Sequence, residues 1–206
     1  FHSFLYTGEI AGMPEELNGL KQCIEKSFQI VDRPLRDIKI GVFSEIPLGR
    51  GLGSSAAAAT ALVRGIFSFF KEKLSQEMLF SLVSLSETYA HGKPSGIDMT
   101  AVASDNFIYF KRGQESVAIT TKRTLYMVVA DSGEIGDTKV AVARVKEAYL
   151  LDKKNTQNTI EAIGEVVKRV HRSILNGDTD TLGYLFNENH KQLQTLGVST
   201  SKLDNL

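Results

Sequence analysis

Residues 46–59 run Ile46-Pro47-Leu48-Gly49-Arg50-Gly51-Leu52-Gly53-Ser54-Ser55-Ala56-Ala57-Ala58-Ala59. Glycines at the alternate positions 49, 51 and 53 let the backbone turn sharply and approach a ligand with no Cβ in the way. Ser54 and Ser55 then open an alanine-rich helix. The first N–H groups of such a helix have no partner within it and sit at the positive end of its dipole. Together these features make an anion cradle suited to phosphates. A lone Gly-Xaa-Gly most often marks a turn with a serine N-cap that merely starts a helix. Here the glycines, both serines and the small-residue helix coincide, which favours phosphate binding. The stretch is not a Walker A loop, because no lysine follows the last glycine, and its glycines are too closely spaced for a dinucleotide fingerprint. The candidate phosphate-binding residues are Pro47, Gly49, Gly51, Leu52, Gly53, Ser54 and Ser55.

A second cluster lies downstream, in Ser86-Glu87-Thr88-Tyr89-Ala90-His91-Gly92-Lys93-Pro94-Ser95-Gly96-Ile97-Asp98. The spacing predicts a helix over about 76–90, which carries Glu87, while Asp98 follows a Pro/Ser/Gly loop. A carboxylate on a rigid helix suits Mg²⁺, an ion that takes one or two carboxylates plus phosphate oxygens and waters. A second carboxylate beside an incoming hydroxyl can orient it and accept its proton. Taken singly, Glu87 reads as a solvated helix residue and Asp98 as the N-cap of the next helix.

Around these clusters strands alternate with helices, without linker, repeat or low-complexity stretch. Phe1–Ile10 reads as a strand and Pro14–Val31 as a helix with Pro14 in its first turn. Ile38, Ile40, Val42 and Ile46 fall on even positions against Lys39 and Glu45, the period of a half-buried strand. A helix is expected over about Ser54–Phe70, and short strands over Asn106–Lys111, Ser116–Thr121 and Leu125–Ala130. The last third is helical, with Ile160, Ile163, Val166, Val167, Val170 and Ile174 at helical spacing and Leu182, Leu185, Phe186, Leu193 and Leu196 repeating it. The expected class is α+β, strand-rich first and helical later.

Bulk properties narrow the function. The 206 residues are 42% hydrophobic, enough for a sizeable core. Lys+Arg and Asp+Glu balance at 24 each, which argues against a nucleic-acid surface or a polybasic membrane patch. No apolar run approaches the roughly 18–20 residues of a spanning helix. The single cysteine, Cys23, allows no disulfide within the chain, and a reducing cytoplasm fits best.

Pro47-Xaa-Gly-Xaa-Gly-Leu-Gly-Ser-Ser-Ala resembles the phosphate-binding motif of the GHMP kinase superfamily. His91-Gly-Lys-Pro-Ser-Gly-Ile-Asp98 narrows the resemblance to its mevalonate kinase family, and Asp131–Lys139 and Gly197–Thr200 resemble further segments of that family. The resemblance implies a GHMP-type fold, with a left-handed β-α-β unit in an ATP-binding region over 1–121 and a helix-rich region over 122–206. It implies transfer of the ATP γ-phosphate to the terminal hydroxyl of mevalonate, with Mg²⁺ as cofactor. Ser55 and Glu87 match the family's Mg²⁺-binding residues, and Asp98 matches its proposed catalytic base. The eleven-residue step from Glu87 to Asp98 is the family's usual one. Met99-Thr100 departs from the Asn-Ala pair often found there. Two family elements, an N-terminal strand bearing a lysine and a C-terminal glycine-rich motif, are expected before Phe1 and after Leu206, so the chain reads as a fragment.

Alternatives from the same superfamily are a kinase for another small alcohol and the related diphosphomevalonate decarboxylase. A non-catalytic nucleotide sensor is the alternative from another class, and the retained Ser55, Glu87 and Asp98 argue against it. A homodimer stays open. Among other residues, His91 reads equally as a substrate neighbour or a packed loop residue. His171 and His190 read as surface or packing residues, Thr138 as part of an Asp-Thr helix cap, and Cys23 as a small buried hydrophobe.

Overall fold

The computed structural model describes residues 1–92 and 94–206, with the side chains of all of these except Ala90 and His91. They form two compact units, one of residues 1–105 and 110–115, the other of 106–109 and 116–206. No described helix is long and apolar enough to cross a membrane.

The first unit begins with β1 (His2–Ser3), followed by α1 (Asn18–Ile30) and β2 (Gly41–Val42). Strands β1 and β2 pair in parallel, His2 opposite Gly41 and Ser3 opposite Val42, so the three elements make a β-α-β unit. Pro14 precedes a single 3-10 turn, Glu15–Leu17, that feeds into α1. The helix proper therefore starts four residues later than the sequence pattern predicts. Three further helices follow: α2 (Ser54–Phe70), α3 (Gln76–His91) and α4 (Ile97–Ala103). The core is shared by Cys23, Ile24 and Phe28 of α1, Val63, Ile66 and Phe67 of α2, and Leu79, Leu82 and Val83 of α3. Spacings of three and four within each set put one face of each helix inward. Gly19 lets α1 lie close on α3, since a Cβ there would stand 2.9 Å from Ser86 Cα. Helix α4 is short and buries no residue fully.

The second unit holds the antiparallel pair β3 (Phe107–Tyr109) and β4 (Val117–Ile119). Its helices are α5 (Thr138–Leu151), α6 (Lys153–Asn176), α7 (Asp180–Thr195) and α8 (Ser201–Asp204). Val166 of α6 and Leu182 and Leu185 of α7 are buried, as their spacing predicts, whereas Ile160, Val167 and Phe186 stay exposed. Arg169 of α6 donates to both carboxylate oxygens of Glu188 of α7 at 2.8 Å.

The strand expectations are met only in part. Phe1–Ile10 and Ile38–Ile46 contribute two ladder residues each, Thr7 adds an isolated antiparallel bridge to His2, and Leu125–Ala130 forms no ladder among the described residues. Tyr126 and Val128 are 93% and 95% exposed. Alternation and β-branching favour an extended backbone, but a strand is completed by a neighbour that supplies the hydrogen bonds.

Candidate functional site

In the loop before α2, Gly49, Gly51 and Gly53 have φ of 68°, 71° and 68°. All three lie in the left-handed region that glycine alone enters without strain. A Cβ on Gly51 would meet open space, so its conformation, not crowding within the chain, demands glycine there. Gly53 is itself the N-cap of α2, and no side chain accepts a hydrogen bond from the first turn at that position. The simple alternative, a serine N-cap, is therefore not what starts this helix. Ser54 and Ser55 are its first two residues, and the first contact of the ladder runs from Ala57 N to Gly53 O at 2.9 Å. A cavity of about 600 Å³ adjoins the loop. Pro47, Gly49, Ser54 and Ser55 line it, together with Ser86 and Tyr89 of α3, and most of its other walls are apolar.

Glu87 sits next to Ser86 but turns inward, with only 2% of its surface exposed. The solvated alternative for this residue does not hold. Its charge is felt by Cys23, whose thiol is pushed up to about 11, chiefly by burial. A hydrogen bond from the Ser86 backbone opposes that rise and the Glu87 carboxylate adds to it. Cys23 donates to Leu82 O at 3.0 Å, confirming it as a small buried group. Among the described residues no group of three or more His, Cys, Asp or Glu could hold a metal ion. Mg²⁺ needs no such cluster, because phosphate oxygens and waters complete its shell. The hydroxyl of Ser55 and the carboxylates of Glu87 and Asp98 are hard oxygen donors of the type this ion takes.

Asp98 is exposed in the first turn of α4. It is not the helix cap: Gly96, with φ 91° and ψ −6°, occupies that position. Val102 lies one turn beyond Asp98 on the same face, where side chains four apart stand about 5–6 Å from each other. Val102 Cγ2 comes within 3.5 Å of where a Cβ on Gly53 would lie. Arg64 of α2 also reaches Ala103 O, at the other end of α4, at 3.4 Å. The face of α4 that bears Asp98 is thus the face turned to the end of the glycine loop. Val102 and Arg64 carried no signal in the sequence, because an ordinary valine and arginine acquire a role here only through packing. His91 and Lys93 of the second motif lie outside the described residues, His91 by its side chain.

The remaining sequence candidates lie in the second unit. Asp137 caps α5, accepting from Val140 N at 3.1 Å, so the Asp-Thr pair starts a helix as expected. His171 stacks on Tyr109 with ring centroids 4.5 Å apart, and His190 pairs with Asp204 at 2.9 Å. Both are packing roles. Thr200 of the Gly197–Thr200 motif donates to Glu134 of the Asp131–Lys139 motif at 2.8 Å, which joins those two segments.

Residues 18–106, which include the glycine loop, Glu87 and Asp98, match the family described as GHMP kinases N terminal domain. The chain belongs to the GHMP kinases. It is 34% identical over 198 residues to the mevalonate kinase of Pyrococcus furiosus, an alignment that covers 93% of this chain and 58% of that protein. With the mevalonate kinase of Schizosaccharomyces pombe it shares 25% identity, over 93% of this chain and 54% of the relative. The chain thus spans less than two thirds of the length of these relatives. Its fold is that of the L. major mevalonate kinase crystallised with R-mevalonate. The TM-score is 0.78 at 23% identity, over 97% of this chain and 62% of that one.

Proposed function

We propose that this GHMP kinase chain carries the nucleotide-binding and proton-accepting parts of a mevalonate kinase. The reaction is transfer of the γ-phosphoryl group of ATP to the terminal hydroxyl of mevalonate, giving 5-phosphomevalonate and ADP. The observation that carries the reading is the meeting of two motifs. The uncapped glycine-loop helix start and the Asp98 face of α4 adjoin through Gly53 and Val102. The mevalonate kinase names of the relatives supply the substrate.

Each residue then has a task that its position allows. The backbone of Gly51–Ser55 cradles the phosphates with N–H groups that no side chain caps. Ser55 and Glu87 supply oxygen donors for Mg²⁺, which when bound neutralises charge on the transferring phosphate. Asp98 orients the substrate hydroxyl and takes its proton as the oxygen bonds to phosphorus and ADP leaves. Asp98 is exposed in the first turn of α4, so its carboxylate is open to a hydroxyl that approaches from outside the helix.

The test is an ADP-release assay on the full-length gene product, with mevalonate, phosphomevalonate, homoserine and galactose compared side by side. A preference for mevalonate by an order of magnitude or more in kcat/KM is expected. A higher value for any of the other three would replace this reading with a different GHMP activity.

A further inference from the structure

We propose that Thr100 is a positioning residue for Asp98, an inference that rests on the assignment of Asp98 as the proton acceptor. Asp98 sits on a helix of seven residues that buries none of them fully, so packing alone does not hold its first turn. The turn starts at Gly96, a left-handed residue with no side chain to cap the helix. Its carbonyl instead receives two bonds from one residue. Thr100 N donates to Gly96 O at 3.1 Å, and Thr100 Oγ1 donates to the same oxygen at 2.8 Å. Asp98 is the middle residue of the segment that these bonds close.

Three further features support the same turn. Ser95 Oγ accepts from Ile97 N at 3.3 Å, which sets the entry to the helix. A Cβ on Gly96 would stand 3.8 Å from both Met99 Cε and Phe110 Cζ, so the glycine is covered on its open side. Thr100 itself is half-buried while Asp98 is exposed, which shields the hydroxyl bond from competing water and leaves the carboxylate outward. A threonine hydroxyl bonded to its i−4 carbonyl bends a helix locally. Here that bond lies in the turn that carries Asp98.

The experiment is a double-mutant cycle on the full-length enzyme with Thr100→Val, Asp98→Asn and the pair, plus Thr100→Ser, read as kcat and KM for mevalonate and ATP. Small displacements of a catalytic group are costly, so Thr100→Val is expected to lower kcat roughly 10-fold with both KM values within about 2-fold. Thr100→Ser keeps the hydroxyl and is expected to restore kcat. Because Thr100 acts through Asp98, the pair should be no slower than Asp98→Asn alone. A Thr100→Val kcat near wild type, no rescue by serine, or losses that multiply in the pair would each overturn the proposal. If Thr100→Val does not fold, Thr100→Ala removes the same hydroxyl and is judged by the same criteria. A wild-type kcat for Asp98→Asn would instead overturn the role of Asp98, and the proposal with it.

Discussion

Helices α2 and α6 begin in opposite ways. At α6, Asp152 accepts from Asn155 N at 3.1 Å, so the exposed N–H groups of the first turn find a partner within the chain. At α2 the corresponding residue is Gly53, which has the left-handed backbone but no acceptor to offer. The pattern extends to other helices. Ser75, Asp137 and Thr200 cap α3, α5 and α8 through their side chains, whereas α4 starts like α2, at a left-handed glycine. For α7 the preceding Asp178 accepts from Thr181 N, and α1 continues directly from a 3-10 turn. Both glycine starts belong to the two motifs that meet at Gly53 and Val102. A capped start completes itself, and even α4 has Ser95 ahead of its glycine accepting from Ile97 N. The α2 start, in contrast, has no side-chain cap and keeps its donors available for something that binds.

The largest expected effect tests the functional side of that contrast. Asp98→Asn keeps shape and a hydrogen-bonding oxygen but removes charge and basicity, so kcat should fall about 10²–10⁴-fold. Gly96, not Asp98, caps α4, so the melting temperature should barely move. Steady-state kinetics and a thermal melt on the same sample separate the outcomes. A normal kcat with a lowered melting temperature would reduce Asp98 to a helix-dipole partner and break the contrast.

Gly53→Val should come next. It imposes a β-branched residue on a φ of 68°, at about 1–3 kcal/mol of strain, and crowds Val102. Mg·ATP affinity measured by calorimetry should drop about 10-fold or more, since the cradle must distort to relieve that strain. Unchanged affinity would remove the loop from phosphate binding.

Asp152→Ala is the matched control at a capped start. It should cost about 0.5–2 kcal/mol of stability, measured by denaturant unfolding, and leave Mg·ATP affinity unchanged. A loss of affinity here would mean that the two kinds of helix start are not separable in function.

The sequence made the helices and the loop legible for different reasons than it hid the rest. Ser54–Phe70 is bounded by glycine before it and repeats apolar residues every three or four positions, both local signals, and the helix spans the predicted range. Three alternate glycines marked a sharp turn with close backbone approach, and the structure makes that turn with all three in the left-handed region. Strand extents at 1–10, 38–46 and 125–130 were not legible, because a ladder depends on a partner that local pattern does not name. The inward turn of Glu87 was equally hidden, since a carboxylate in a helix usually faces water. Only the close approach of α1 at Gly19, a long-range contact, shows why this part of α3 is covered.

The smallest expected effect concerns the start of α7, where the cap precedes the helix instead of opening it. Asp178 accepts from the Thr181 hydroxyl at 2.5 Å and from Thr181 N at 3.3 Å, and these bonds hold its carboxyl below the usual range. A depressed folded-state value means that the unfolded chain binds this proton more readily. The stabilisation is therefore fully present above the unfolded value, near 3.8, and is lost as pH falls through the lower folded one. Thermal melts of wild type and Asp178→Asn should differ by a small constant amount between pH 5 and 8, by about the modest scale of an exposed charge at a helix start. The gap should begin to narrow below about pH 4 and close as pH falls through the lower folded value. Its group is fully exposed, so added salt should shrink the gap at neutral pH as well. A gap that did not narrow at all between pH 5 and pH 3 would show that Asp178 acts through shape and not charge, and would move α7 out of the capped class.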